Sequence, residues 1–231
     1  MKTVKLITLT LTLSLLALAA AGQNNCSKYY PFEESSTSTY EMRNANGKSE
    51  GSMTMSIKDI RTSGASIKAR VNSEIFDKKG KALMASEYDM TCDGNTVHMD
   101  FKSLMNSDMM RQFKDMEIEF TGTDVEFPNK LSAGQSLPDA SMQAKMNMGG
   151  LAMNMTTNIT DRKVQGKERL STPAGTFDCM VITQSSKGKV MMKFESRQKF
   201  WIAEGVGLVK SEDYNAKGKL QGTTLLTAFS K

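Results

Sequence analysis

The chain has 231 residues, with 30 Lys and Arg against 25 Asp and Glu, a formal charge of +5. Lysines alternate with acids and no basic block is interleaved with aromatics, which leaves a nucleic-acid partner without support. A single histidine, three cysteines at neither metal-knuckle nor redox spacing, and no apolar run near the roughly 20 residues of a membrane span argue against a histidine metal centre, a conventional triad and a transmembrane helix.

Lys2 and Lys5, the apolar run Leu6 to Ala20, and the small residues Ala19, Ala20 and Ala21 have the layout of a secretory signal. The expected organisation is a signal over 1–21, cleaved near Ala21, and one exported β-rich domain over 22–231, periplasmic or secreted. Loss of Lys2 and Lys5 takes the charge from +5 to +3. About 210 residues suffice for one β domain that buries about 70% of its unfolded surface. Cys26 follows the signal, but Gln23, Asn24 and Asn25 precede it where lipid attachment requires small apolar residues. In an oxidising compartment Cys26, Cys92 and Cys179 read as one disulfide and one thiol, with Cys26 and Cys92 the favoured pair. Cys179 alternates with Phe177 and Val181 and is expected in the core as an inert apolar group.

From Thr37 onward the pattern is β. Met53, Met55 and Ile57 alternate with polar residues, as do Ile67, Ala69, Val71 and Ile75, so the sheet is wet on one face. Turn signals stand at Asn46 Gly47, Lys79 Gly80, Asp93 Gly94, Gly149 Gly150, Lys187 Gly188 and Lys217 Gly218. A two-residue loop at Asp93 and Gly94 would pair Met90 with Val97 and Asp89 with His98. A loop at Gly149 and Gly150 pairs Met148 with Leu151, Met146 with Met153 and Ala144 with Met155, and sorts apolar from polar residues at nearly every position. Met105, Met109, Phe113 and Met116 recur at helical spacing and predict a short amphipathic helix over roughly 103–116. Pro128 and Pro138, with Gly134 between them, mark a loop joining two halves of the strand set.

Residues 73–81 echo 211–219 at serine, glutamate, aromatic, Asp or Asn, and Lys-Gly-Lys, which a shared hairpin type explains as well as duplication does. In an up-and-down meander turns separated by one other turn share an end of the sheet, so Gly47 and Gly80 would lie together, as would Gly150, Gly188 and Gly218, edging those ends with Lys48, Lys79, Lys81, Lys187, Lys189, Lys217 and Lys219. Those lysines read either as solvated charges that discourage edge-to-edge association or as an anion-facing rim.

Signatures of catalysis are sparse. His98 with Asp89 reads as a surface pair, and Ser186 with Lys189 lacks the strand-to-helix setting of a serine–lysine nucleophile. Glu33 with Glu34, and Glu117 with Glu119, read as a solvated loop start and the wet face of a strand. The unusual feature is 19 methionines. The pairs Met53 and Met55, Met146 and Met148, and Met153 and Met155 each have one residue between them, which suits soft copper(I), a plain buried strand face, or a flexible lining for apolar ligands.

Tyr30 Pro31 Phe32, Cys92 Asp93 Gly94, the run from Leu131 to Asp139, the run from Thr172 to Cys179 and the run from Trp201 to Glu212 together resemble exported proteins of Gram-negative bacteria. These are called TapB-like, or similar to domain of unknown function 3108. The resemblance spans essentially the whole mature chain and implies a periplasmic β-rich domain, a curved or half-open barrel akin to lipoprotein carriers. It brings no established activity and no catalytic residues, and the methionine hairpin over 142–155 is similar too.

The expected molecule is therefore all-β: a long antiparallel meander forming a curved sheet or half-open barrel, with one short amphipathic helix and no cofactor. Its expected role is non-enzymatic binding of an apolar or lipid-like ligand on a methionine-rich face, at Met146, Met148, Leu151, Met153 and Met155. The alternatives are a structural or protein-interaction module with an envelope protein partner, and soft-metal (copper) binding.

Overall fold

A computed structural model describes residues 26–100, 117–148, 151–189 and 193–231, with side chains at all of these except 117–120, 146–148 and 151–153. Among the described residues the chain is all-β. The strands are β1 (Thr37–Asn44), β2 (Ser49–Ser63), β3 (Ser66–Asp77), β4 (Ala82–Asp93), β5 (Thr96–Met99), β6 (Glu117–Gly122) and β7 (Val125–Pro128), then β8 (Ala140–Met148), β9 (Leu151–Thr172), β10 (Gly175–Lys189), β11 (Lys193–Ala203), β12 (Gly207–Asn215) and β13 (Leu220–Ser230). They form one antiparallel sheet in the order β6-β8-β9-β10-β11-β12-β13-β1-β2-β3-β4-β5-β7. The meander expected from the alternation is present, with the first and last strands paired in its middle. The helix expected over roughly 103–116 lies outside the described residues.

Among the described residues the sheet does not close by hydrogen bonding, yet its two edges are held near each other. β6 and β7 are the opposite edge strands and only Thr123 and Asp124 separate them in sequence. An extended link of that length reaches about 10 Å. Ile57, Val71, Met90 and Phe127 from one side of the sheet accordingly share a core cluster with Ile159, Val164, Ile182 and Ile202 from the other. One face is concave and packs on itself.

A β-bulge supplies the group that spans the gap. Thr160 pairs with Ser185 and Lys163 with Thr183, so Asp161 and Arg162 both face Gln184 across the ladder. Asp161 takes the extra turn at φ 55°. A bulge shifts the alternation by one, so Ile159 is inward before it and Arg162 and Val164 after it. Arg162 is only 2% exposed. It donates through Nη1 to the Pro138 carbonyl (2.7 Å) and through Nη2 to the Glu126 carbonyl of β7 (2.9 Å), with its guanidinium 5.1 Å from the centre of the Phe127 ring. Burial lowers its pKa. The Pro128–Pro138 loop fills the space beside it, with Leu137 N–H donating to the Arg162 carbonyl and Gly134 N–H to that of Val164.

Residues 26–36 form a strap across one end of the sheet. A disulfide joins Cys26 to Cys92 in β4, closing a 66-residue separation, a constraint that stabilises by about 4 kcal/mol in the chain-entropy picture. Asn129 accepts from the Lys28 N–H (2.8 Å) and donates to the Cys26 carbonyl. Farther along, Gly205 N–H donates to the Lys28 carbonyl, Ser35 N–H to that of Ile57, and Ile57 N–H to that of Ser36.

The opposite end is made of hairpins with one design. In 44–48, 77–81 and 215–219 an Asn or Asp carboxamide or carboxylate oxygen accepts from the N–H groups two and four residues on. A glycine follows at φ 75°, 80° or 76°, a conformation costly for other residues. The echo between 73–81 and 211–219 is thus a shared hairpin type, with a third copy at 44–48.

Two expected turns are corrected. Lys187 and Gly188 lie within β10, paired with Glu195 and Phe194; a Cβ on Gly188 would stand 2.2 Å from the Thr156 carbonyl oxygen of β9 and 2.7 Å from the Phe194 ring, so this glycine allows a close approach of backbone on one side and of an aromatic ring on the other. The β4–β5 turn is at Gly94 and Asn95, so Met90 pairs with Met99 and Thr91 with His98. A shift by two residues preserves the faces, so alternation alone does not distinguish the two registers. His98 Nε2 lies 2.9 Å from Asp93 Oδ1. Asp89 pairs instead with Lys68 (2.8 Å) and Arg70 (3.3 Å).

On the convex face a second cluster gathers Cys179, Val181, Trp201, Ala203 and Val209. The Trp201 indole N–H donates to Glu168 Oε2 (2.7 Å), and the Lys199 and Lys210 ammonium groups lie 4.3 and 4.6 Å from the ring centre. The lysine stems cover apolar surface while their charges stay wet. Cys179 is buried, and burial pushes its thiol up to about 11.

Two predictions follow from this packing. Arg162→Ala leaves two seam carbonyls without their donors and opens a cavity, so urea unfolding is expected to show a loss of about 2–4 kcal/mol. A loss under about 0.5 kcal/mol, the scale of an ordinary surface substitution, would show that the seam is held elsewhere. The hydrogen bond from Trp201, then Lys199, holds the Glu168 carboxyl below its ordinary value of 4.5. Its contribution is therefore present above pH 4.5 and lost as pH falls through the lower folded value. Fluorescence of the single tryptophan should titrate with a midpoint below 4.5, and Glu168→Gln should remove that transition.

Candidate functional site

The concave face encloses a cavity of about 450 Å³ between the strap and the strands. One wall is apolar and comes from β2 to β5 and β7: Met55, Ile57, Val71, Tyr88, Met90, Met99, Val125 and Phe127. The facing wall comes from β9 to β11 and changes character along its length. Ile182 and Ile202 are fully buried at the strap end, but the next inward positions on β10 are Gln184 and Ser186, and β11 presents Ser196, Gln198 and Phe200.

These polar side chains form a ladder across three strands. Gln184 Nε2 donates to Gln198 Oε1 (2.7 Å), Ser186 Oγ donates to the same oxygen (3.3 Å), and Gln198 Nε2 donates to Asp213 Oδ1 of β12 (3.0 Å). Gln184 and Ser186 are each 8% exposed. Burial of amides is tolerable here because each is hydrogen-bonded.

The floor is set by the strap. Tyr30 packs edge-on to Phe127 with ring centres 5.3 Å apart, and Tyr40 donates its hydroxyl to the Leu208 carbonyl (3.1 Å). Burial pushes the Tyr40 phenol up to about 12 and raises those of Tyr30 and Tyr88 further, so all three stay neutral. Ser36 is 2% exposed and lines the cavity, and its hydroxyl has no hydrogen-bond partner among the described residues. At the other end the lining reaches Phe194, which is 38% exposed and marks where the cavity meets solvent.

The arrangement suits non-covalent binding of an elongated apolar molecule with one or two polar groups. Sites of this kind occupy about 300–1,000 Å³ and combine apolar walls with few placed polar groups. Met55, Met90 and Met99 add a surface that repacks readily. Among the described residues no group of three or more His, Cys, Asp or Glu gathers as a metal site, and no helix is long and apolar enough to cross a membrane.

The methionine hairpin singled out in the sequence has the register its alternation predicts, with Met148 opposite Leu151, Met146 opposite Met153 and Ala144 opposite Met155. The side chains of Met146, Met148, Leu151 and Met153 lie outside those described. Met155 is buried at 7% exposure, on the same alternation as Thr157 and Ile159, which do line the cavity. Sequence reasoning passed over Ser36, Gln184, Gln198 and Arg162. The turn from apolar to polar on the inward positions of β10 and β11 was the available signal, and it reads equally well as a wet face.

No curated protein matches the chain. Two crystal structures share its fold. A Bacteroides fragilis protein assigned as exported, with a YmcC-like fold, superposes with a TM-score of 0.70 at 19% identity, covering 89% of this chain and 100% of that one. A Parabacteroides distasonis protein assigned as a lipoprotein gives 0.69 at 19% identity, covering 88% of this chain and 99% of the other. Residues 33–226, from the strap through most of β13, match the DUF3108-like family, and the chain belongs to it.

Proposed function

We propose that this protein is a non-catalytic, exported binding protein that holds an apolar, lipid-like ligand in the concave cavity. The observation that carries the reading is the cavity itself: about 450 Å³, lined largely by apolar side chains, with the unpartnered Ser36 hydroxyl buried in its lining. A buried hydroxyl without a partner is costly, and an ester, amide or hydroxyl of a ligand would satisfy it. The polar ladder of Gln184, Ser186 and Gln198 offers a second anchoring place, while the methionine wall accommodates chains of different shape.

Export is supported by the secretory layout of residues 1–21 and by the naming of the two fold relatives as exported and as a lipoprotein. The non-catalytic part rests on the reactive groups present: Cys179 is buried with a raised pKa, and His98 sits by Asp93 at the turn of β4 and β5. The methionine hairpin over 142–155 belongs to the proposal as a continuation of the ligand-facing surface beyond Ile159 and Thr157.

Native mass spectrometry on protein purified from the periplasm without detergent, followed by solvent extraction, tests the reading. A lipid or acyl species is expected to co-purify with the wild type. It should be absent from Met55→Trp, which fills the cavity, while the thermal midpoint changes by only a few degrees. A wild type that is free of ligand, and that also fails to take up a fluorescent fatty acid, would overturn the proposal in favour of an envelope interaction module.

A further inference from the structure

The hairpin turns between β1 and β2, β3 and β4, and β12 and β13 all fall at one end of the sheet, because Asn44 pairs with Gly222 and Asp77 with Gly51. The β10–β11 connection joins them there, since Asn215 pairs with Ser196 and Lys189 with Lys193. This end carries Lys48, Lys79, Lys81, Lys193, Lys217 and Lys219, and none of these makes an ion pair among the described residues. Of the described acids at this end, Asp77 accepts the N–H groups of its own turn and Glu195 pairs with Lys187 at 3.3 Å. Glu50 lines the hollow between the first two turns together with Lys48, Lys78 and Lys79. At the strap end, by contrast, Lys28 pairs with Glu204 and Lys231 with Glu33.

The second observation is apolar and independent of charge. The exposed large hydrophobic residues among those described are Leu83 (60%), Met84 (41%) and Phe194 (38%), and all three lie at the lysine-bearing end. Leu83 and Met84 follow Lys81 at the start of β4, beyond the stretch Met90 to Asp93 that pairs with β5. Phe194 follows Lys193 and stands at the cavity opening. A rim of unpaired lysines interspersed with exposed apolar side chains matches the interface of an anionic bilayer, where cations meet head groups and apolar groups enter beneath them. A soluble polyanion would match the lysines but not Leu83 and Met84.

We propose that this end of the sheet docks onto an anionic lipid surface. The cavity opening then faces the bilayer, so that a ligand passes between them without crossing water; this last step rests on the cavity reading, whereas the docking does not. Lysines within a Debye length of the surface act together, and salt screens them.

Flotation of the full mature chain with vesicles tests the docking directly. Binding to vesicles of 30% phosphatidylglycerol in phosphatidylcholine is expected at about 0.1 M salt, at least tenfold stronger than to phosphatidylcholine alone. It should fall at least tenfold at about 0.5 M salt. Lys79→Glu with Lys81→Glu, Lys217→Glu and Lys219→Glu should lose binding, while Lys58→Glu with Arg61→Glu, toward the other end of β2, should keep it. Leu83→Ser should weaken vesicle binding and leave the thermal midpoint unchanged. Equal binding to neutral vesicles, full binding by the folded fourfold variant, or indifference to Leu83→Ser alongside tight binding of polyglutamate would overturn the proposal. Met55→Trp should still float with anionic vesicles, so failure of docking and failure of ligand binding are read separately.

Discussion

The buried guanidinium of Arg162 is the constraint on which the rest depends. A sheet of this length curls, and here it curls almost onto itself, with no hydrogen-bonded pairing of its edge strands among the described residues. One side chain from β9 reaches carbonyls of β7 and of the loop before β8, and lays its plane over Phe127. A fixed fork with several donors can hold two carbonyls on different elements at once, which the point charge of a lysine does less well. With the seam held there, and by the backbone bonds of the neighbouring loop to Arg162 and Val164, the concave wall keeps its curvature on either side and space remains inside instead of collapsing. The strap then closes one end with a disulfide and a few backbone hydrogen bonds, and the lysine-bearing hairpins leave the other end open.

Much of this was legible in the sequence and some of it was not, for physical reasons that can be named. The all-β meander, the family, the register of the 140–159 hairpin and the burial of Cys179 all rest on period-two alternation or on motifs spanning the chain, and these survive folding unchanged. Alternation is blind to shifts of two, which is why the partner of His98 was misjudged while its face was not. Glycine commonly marks a turn, but at Gly188 the need for it comes from the close approach of the Thr156 carbonyl on one neighbouring strand and the Phe194 ring on the other. Arg162 was invisible because its inward position exists only after the bulge at Asp161, and the same residue one step out of phase reads as a solvated charge.

The cavity shows the limit from another side. Gln184, Ser186 and Gln198 sit on positions that would be apolar in a sealed core, and in a linear pattern they look like the outside of a sheet. Only curvature makes them interior. Methionine was a fair pointer to a face that repacks, yet the methionines that line the space among the described side chains come from β2, β4 and β5. Residues that recur along one strand are easy to see in sequence, and residues converging from ten strands are not.

Pairing the first strand with the last has a consequence for how the molecule assembles. Thr37 lies opposite Ser230, so the central ladder of the sheet joins residues separated by nearly the whole chain. Contacts of such high order form late, since the loop they close must be ordered first. In a chain that emerges from its amino terminus, β1 to β5 can fold into hairpins while the outer edge of β1 waits for a partner. That edge is an invitation to other chains until β13 arrives, and Glu41 and Arg43, paired at 2.6 Å on β1, place charge where a stray strand would have to dock.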